Sequence, residues 1–190
     1  MPSTASLLFP DTHSLWSDHD PSEGRRPYRY FLRRLENKVT GLIEPDKPPM
    51  VFVLLNPSTA DEIKDDPTVA KSRRHAAGWG YGEVIILNAF AYRATDPKNM
   101  KAHPDPIGPK NDQVIQETCA AVIALGGRID CGWGNHGQHL GRSDALRALL
   151  SPFETWAFKV SKTGEPSHPL YLSMATQLVS YPPLGLSTER

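Results

Sequence analysis

The sequence predicts an α/β fold, a three-layer α/β/α sandwich with a mainly parallel central sheet of about four to five strands. The uninterrupted apolar run Met50–Leu55 is typical of a strand that is buried on both faces of a sheet. Such strands alternate with helical segments, which indicates right-handed crossovers. Polar residues follow the strands, at the sheet edge where open α/β folds bind ligands.

Proline and glycine residues separate the predicted elements. The pattern predicts an extended arm over residues 1–27 and an edge strand over Tyr28–Leu35. Pro at the first turn and Gly at the end mark a helix at Pro67–Gly78. The remaining predicted elements are a buried strand at Glu83–Phe90, a loop at Ala91–Pro109, a helix at Lys110–Leu125, a strand at Arg128–Trp133, a helix at Ser143–Leu150 and a strand at Glu154–Val160. They form one predicted domain over residues 28–180, followed by a tail over 181–190.

Length and composition limit the class of protein. The 190 residues suffice for one domain with a sizeable core, and 21 basic residues balance 21 acidic ones. Any nucleic-acid contact is therefore expected from a local patch. Two cysteines give no disulfide framework and are typical of a reducing cytosol. Because neither a secretory signal nor an apolar run of about 20 residues is found, we expect a soluble cytoplasmic protein without a membrane partner.

The first candidate site follows the strand Met50–Leu55, where the apolar run ends at Asn56. Its candidate substrate-binding residues are Pro57, Ser58, Thr59 and Asp66. One interpretation is a turn and a helix cap, since Asp66 directly precedes Pro67. The other is that Asn56 and an acid, either Asp61 or Asp66, hold a water or a ligand, because a cap alone does not require so many polar groups. The two interpretations are compatible, with Asp66 as the cap and Asp61 as the catalytic acid.

A second candidate is His168, which lies between Pro166 and Pro169. A histidine that is fixed in one orientation can donate a hydrogen bond to developing negative charge. An ordinary loop histidine is the alternative.

Two further strand ends carry candidates for substrate binding. Asn88 is the polar residue near the end of the second buried strand, and Arg93, in the loop that follows, is suited to a phosphate or carboxylate. Trp133, Gly134 and Asn135 follow the third strand, and combine a ring, a close backbone approach and a polar side chain. The alternative interpretation of Trp133 is a core residue, which is the more common place for a tryptophan.

Other sites are weaker. Cys131, His136 and His139 have a spacing that imitates a metal site, but no second cysteine is close, so no metal and no cofactor are predicted. A basic helix face offers a phosphate-binding alternative to plain solvated charge; it comprises Lys71, Arg73, Arg74 and His75. The absence of Walker, GxSxG and HExxH motifs argues against P-loop NTPases, serine hydrolases and zinc peptidases.

These motifs together resemble a bacterial and phage family catalogued as a domain of unknown function, family 1643, from about Tyr28 to Leu172. The motifs that carry the resemblance are Leu54–Asp61, Asp66–Thr68, Asn88–Phe90, Trp133-Gly134 and Gly164–Leu170. The chain also bears a more distant resemblance to the uracil-DNA-glycosylase superfamily, through the order of Asn56-Pro57, Trp133-Gly134 and His168-Pro169. That resemblance implies that Asn56 positions a water and His168 stabilises the departing base. It also implies that Leu170 lies near the wedge that replaces a flipped nucleotide.

We expect an enzyme that hydrolyses the N-glycosidic bond between a base and its sugar. Its partner would be DNA that carries a modified base, or a nucleotide. Asp61 would offset positive charge on the sugar, and Trp133 or Phe90 would stack on the base. Two alternatives stay open. One is a non-catalytic nucleic-acid or nucleotide-binding module, and the other is a different small-molecule hydrolase or transferase on the same sheet.

Overall fold

The central element of the fold is a mixed sheet, in a computed structural model that describes residues 14–35 and 47–181. Over these residues the sheet has seven strands, in the order β1-β2-β4-β3-β5-β6-β7. The strands are β1 (Ser14–Trp16), β2 (Arg29–Leu35), β3 (Pro49–Leu54), β4 (Glu83–Asn88), β5 (Arg128–Cys131), β6 (Thr155–Ala157) and β7 (Val179–Ser180). The four neighbours β4, β3, β5 and β6 are parallel, whereas β1, β2 and β7 pair antiparallel.

Four α-helices connect the strands within the described residues. They are α1 (Pro67–Gly78), α2 (Pro97–Ala102), α3 (Asn111–Ala124) and α4 (Arg142–Leu150), and 3₁₀ segments occupy Asn135–Gly141 and Pro169–Tyr171. Helix α1 has the predicted bounds, because the Asp66 carboxylate accepts a hydrogen bond from Val69 N at 2.9 Å and Pro67 occupies the first helical position. Helix α2 lies in a segment that was predicted as a loop. It begins with the same device, Asp96 followed by Pro97.

The α/β class is confirmed, but the sheet is larger than the predicted four to five strands. The added strands β1 and β7 are three and two residues long, too short to give a periodic pattern. Strand β1 lies within the predicted N-terminal arm and pairs with β2, so β2 is not the edge strand that the sequence suggested. Residues 1–13 of the arm and 182–190 of the tail lie outside the described residues.

Two apolar clusters pack against the sheet, because alternate residues of a strand point to opposite faces. Val51 and Val53 of β3 join a cluster that includes side chains of α3 and α4. Met50 and Phe52 join a second cluster with Val69 of α1. Both faces of the central strands are therefore buried, as continuous apolar runs require. None of the helices within the described ranges has the length and apolar character needed to cross a membrane.

The strand order locates a switch point at the carboxyl ends of β3 and β5. From β3 the chain passes to β4 on one side, and it later returns to β5 on the other side of β3. The loops that leave β3 and β5 therefore diverge and open a crevice between them. Ligands of open α/β sheets bind at such a point.

Candidate functional site

A cavity of about 750 Å³ occupies this crevice. Its walls come from the loops after β3, β4, β5 and β6, as the convergence of strand ends predicts. The sequence-predicted residues that line it are Asn56, Ser58, Thr59, Asp66, Trp133, Gly134, Asn135, His168 and Leu170. The size is typical of a small-molecule or base-binding site.

Asn56 is held in one orientation at the cavity wall. Its side-chain nitrogen donates to the carbonyl of Ala94 at 2.7 Å and to the carbonyl of Pro57 at 3.0 Å. Both amide hydrogens are thereby used, so Oδ1 is the atom that Asn56 can offer to a ligand or a water. The Pro57 carbonyl also accepts from Ala94 N at 3.0 Å, which ties the loop after β3 to the loop after β4. Pro57 itself is buried and supports the wall from behind.

His168 is a neutral hydrogen-bond donor in the cavity wall. Burial lowers the pKa of the imidazole from 6.5 to about 4, and the negative charge of Asp66 opposes this shift only in part. Nδ1 accepts a bond from Leu170 N at 3.4 Å, which begins the 3₁₀ segment Pro169–Tyr171. A neutral imidazole whose Nδ1 is an acceptor carries its proton on Nε2. His168 therefore presents a fixed N–H.

The acid that the structure brings to the cavity is Asp66, because Asp61 does not line it. One Asp61 oxygen accepts from Lys64 N at 2.7 Å and Ile63 N at 2.9 Å, so this carboxylate closes its own loop. These backbone hydrogen bonds lower the pKa of Asp61. Asp66 uses only Oδ1 as the cap of α1, and its other oxygen is left for the cavity.

Asp65, another acid of this loop, has a structural role. It pairs with Arg34 at 2.7 Å and with Arg73 at 2.6 Å, which anchors the loop to β2 and α1.

Gly134 and Asn135 form the wall that follows β5. Gly134 has φ 66° and ψ −175°, a region that residues with a Cβ rarely adopt, and its N donates to Pro166 O at 2.8 Å. The Asn135 side-chain oxygen accepts from Ser161 at 3.1 Å and Thr163 at 2.9 Å. These bonds join the loop after β5 to the hairpin that precedes His168.

Trp133 touches the cavity but belongs mainly to the core, with 1% of its surface exposed. Its indole nitrogen donates to Glu165 at 2.8 Å and to Ser143 at 3.0 Å. Glu165 also pairs with Arg147 at 3.0 Å. Burial opposes ionisation of Glu165, but hydrogen bonds from Ser143 and Trp133 and the charge of Arg147 hold its pKa below the usual value. Trp133 is thus a buried structural residue and not a surface on which a base stacks.

Four predicted substrate-binding residues do not line the cavity: Pro57, Asn88, Phe90 and Arg93. Asn88 and Phe90 are buried, and Phe90 packs in the larger apolar cluster, so neither is available to stack on or bind a base. Arg93 lies beside the cavity, with its guanidinium carbon 4.7 Å from the centre of the Trp16 ring.

The basic face of α1 is mostly engaged within the fold. Lys71 donates to the carbonyl of Leu170 at 2.8 Å and to that of Leu172, so it fixes the segment that carries His168. His75 is buried against Trp79 and Phe158. No group of three or more His, Cys, Asp or Glu side chains suited to a metal occurs in residues 14–35 and 47–181.

The sequence analysis missed Tyr171. This side chain lines the cavity, is 83% exposed and lies 6.0 Å from the His168 ring, measured between ring centres. Tyr171 is therefore the exposed aromatic at the cavity, the role that was expected of Trp133 or Phe90. Its position one residue after Leu170, in a segment pinned by two prolines, was the available signal.

A family model described as "Protein of unknown function (DUF1643)" matches residues 29–170. The chain belongs to this family. No curated protein and no solved structure matches the chain. The resemblance to the uracil-DNA-glycosylase superfamily therefore stays a prediction.

The DUF1643 region contains Asn56, Asp66 and His168, three of the polar side chains that line the cavity. Two exposed or partly exposed aromatics flank this region in the sequence. They are Trp16 before it and Tyr171 directly after it.

Proposed function

We propose that this DUF1643 protein is a hydrolase that cleaves the N-glycosidic bond of a base in a nucleotide or in DNA. One observation carries the proposal: Asn56, Asp66 and His168 line the same cavity. They supply an oriented acceptor, a carboxylate and a neutral donor, the groups that this chemistry needs. The cavity would hold the base, and Tyr171 would stack on it at the mouth.

The reaction adds one water across the bond between the sugar and the base. The water oxygen forms a bond to the anomeric carbon, and the carbon–nitrogen bond breaks with its electron pair passing to the base. Asn56 Oδ1 accepts a hydrogen bond from the water and thereby orients it. Asp66 takes the proton that the water loses and offsets positive charge on the sugar, and this proton ends on the departing base.

His168 stabilises the departing base by donating from Nε2 to the atom on which negative charge develops. Because its pKa is lowered to about 4, the ring is neutral at neutral pH. A neutral imidazole keeps its proton during the reaction, so it acts as a hydrogen-bond donor and not as a general acid. Asp66 replaces Asp61 as the acid of the proposed mechanism, since only Asp66 lies at the cavity.

We also propose that the fold is the three-layer sandwich that the sequence predicts. Apolar clusters on both faces of the sheet support this arrangement, with α1 on one face and α3 and α4 on the other. A cytoplasmic location is likewise proposed on composition alone.

The test is a panel of single-stranded and duplex oligonucleotides that each carry one modified base, together with nucleoside monophosphates. Abasic sites are detected by alkaline cleavage, and free bases by chromatography. We expect His168→Phe and Asp66→Asn to reduce base release about 100-fold or more, since positioned donors and bases contribute that much. Asp66→Asn retains a good helix cap, so this variant isolates the carboxylate from its structural task.

Asp61→Asn is the matched control, and its rate should stay within about threefold of wild type because its carboxylate only closes an exposed loop. Absence of any base release across the panel would contradict the proposal. Binding of a base or nucleotide without release would instead identify a binding module.

A further inference from the structure

Three arginines surround the ring of Trp16 beside the cavity. The guanidinium carbons of Arg26, Arg93 and Arg29 lie 4.5, 4.7 and 5.9 Å from the ring centre. Stacking on an aromatic ring holds a guanidinium plane while its N–H edges stay free to donate. We call these four residues the Trp16 cluster. The mechanism described above uses none of them.

The Trp16 cluster is attached to two segments of the cavity wall. Arg93 directly precedes Ala94, which lines the cavity and bonds to Pro57. Arg29 donates from Nη1 to the carbonyl of Ala60 at 2.7 Å, within the loop that joins Asn56 to Asp66. A ligand in the cavity thus lies next to the cluster along the surface.

The positive charge of the cluster is incompletely compensated. Among the residues that the structure describes, Arg93 and Arg29 form no ion pair, and the Nε atom of each is buried without an acceptor. Arg29 is only 2% exposed. Burial, followed by the charges of Arg25 and Arg26, lowers the pKa of Arg93, while Asp61 and Glu62 act in the opposite direction. Arg29 is buried and the negative charge of Asp66 acts on it, whereas Arg93 is partly exposed and pairs with no carboxylate among the described residues. An anion that binds at the exposed edge of Arg93 is therefore favoured.

Glu62 does not remove this requirement. It pairs with Arg26 at 3.0 Å, but both side chains are more than 40% exposed, and such surface pairs contribute little. An incoming anion with several acceptor oxygens competes readily with this one carboxylate.

We propose that the Trp16 cluster binds a phosphate group of the ligand whose base occupies the cavity, with Arg93 as the principal contact. Guanidinium groups match the oxygens of a phosphate in forked geometry, which favours phosphate over a single carboxylate. The substrate class is then a nucleotide or a nucleic-acid strand, and not a free base or nucleoside. The placement of the base rests on the proposed function, whereas the phosphate contact does not.

The experiment measures binding to the full chain by calorimetry and fluorescence anisotropy. The probes are a deoxynucleoside and its 5′-monophosphate for each common base, and a short mixed-sequence single strand. Wild type should bind the phosphorylated probes at least tenfold more tightly than nucleosides, since hydrogen bonds between charged groups contribute about that factor or more. Arg93→Gln should remove this preference, and Arg26→Gln, at an exposed position, should weaken it.

Arg128→Gln is the matched control because Arg128 also stacks on a tryptophan, Trp156, at 4.4 Å, but near the opposite end of the sheet. This variant should bind the phosphorylated probes as wild type does. Thermal unfolding followed by circular dichroism verifies that each variant is folded. If Arg93→Gln fails to fold, Arg26→Gln and Arg93→Lys carry the comparison, and Arg93→Lys should retain part of the affinity.

Preference for the monophosphates identifies a terminal phosphate, and preference for the strand identifies a phosphodiester; either result supports the proposal. For the strand, Arg93→Gln should reduce the slope of log K against log salt by about one. Equal binding of nucleosides and monophosphates without strand binding, or equal losses in Arg93→Gln and Arg128→Gln, would overturn it. A phosphate preference in a protein that releases no base would refute the glycosidic chemistry and leave the phosphate site standing.

Discussion

Two asparagines lie at the ends of neighbouring parallel strands, but one is buried in the sheet and the other lines the cavity. Asn88 is the last residue of β4 and lies directly opposite Leu54 in β3, so it is still inside the sheet. Asn56 comes two residues after Leu54 and lies at the cavity wall. A polar residue at the end of an apolar run therefore contributes to a site only when it lies beyond the last paired residue of its strand.

Three aromatic side chains near the cavity also differ in exposure to solvent. Phe90 and Trp133 follow their strands closely and are buried in the core, although both were expected to stack on a base. Tyr171 lies in a 3₁₀ segment away from the sheet and is exposed at the cavity. Phe90 and Trp133 lie as far beyond their strands as Asn56 does, so the burial of apolar side chains, and not distance from the strand alone, determines which groups a ligand can reach.

The largest expected effect distinguishes Asn56 from Asn88. Asn56→Ala should reduce base release about 100- to 1000-fold, because it removes the acceptor that orients the water. Asn88→Ala should keep the rate per folded molecule within about threefold, since its side chain does not face the cavity. Rates are measured on the oligonucleotide or nucleotide that wild type cleaves, with folded fractions taken from urea titrations. Similar rate losses in the two variants would refute the distinction.

The next effect is the pH dependence of the free energy of unfolding, and it tests His168 at the cavity. The pKa of His168 is lowered to about 4 in the folded chain, whereas an unfolded histidine titrates near 6.5. Between these values the unfolded state binds a proton that the folded state does not, so the free energy of unfolding falls as pH falls. The two values limit this loss to roughly 3 kcal/mol.

Because burial also lowers the pKa of His75, wild type is compared with His168→Gln, which retains the His75 contribution. Urea unfolding at neutral pH and near pH 4.5 gives the loss for each protein. The loss should be smaller in the variant. An identical loss would mean that His168 is not held neutral by the fold.

The smallest effect concerns the hydrogen bonds that hold the backbone at Asn88, the buried asparagine. Asn111 is fully buried, and its side chain donates to the carbonyls of Asn88 at 2.9 Å and Ala89 at 3.1 Å. Asn111→Ala removes this donor from both carbonyls, although the Ala89 carbonyl keeps the bond that it accepts from Arg142 Nε at 2.6 Å. The variant should reduce the free energy of unfolding by about 2 kcal/mol. Urea titration measures the loss. A change below about 0.5 kcal/mol would show that these carbonyls find other donors.

Local signals account for what could be predicted of the fold. Asp66, Pro67 and Gly78 define α1 because capping and the restricted backbone of proline act within a few residues. The strand ends were predicted too late: β4 ends at Asn88 and not at Phe90, and β5 ends at Cys131 and not at Trp133. In both cases the residues stay buried beyond the last residue that pairs in the sheet. An apolar sequence pattern indicates burial and does not show where strand pairing ends.

The candidate site was predicted in part for a related reason. Convergence of strand ends follows from parallel pairing, so Asn56, Asp66 and His168 could be placed together from the sequence. The direction of each loop after its strand depends on long-range contacts. The bond of Asn56 to Ala94 and the pairing of Asp65 with Arg34 are examples, and residue type alone does not encode them. Asp61 and Phe90 were misplaced on this account, whereas Arg93 lies beside the cavity and not in its wall.

Lys71 joins the two walls of the cavity, since one ammonium on α1 holds the carbonyls of Leu170 and Leu172. Asp66 caps the start of helix α1, and the segment held by Lys71 begins just after His168. Lys71 therefore contributes to the separation of carboxylate and imidazole through hydrogen bonds to neither group. A shorter or neutral residue at this position would change the width of the cavity while leaving every polar group at its wall intact.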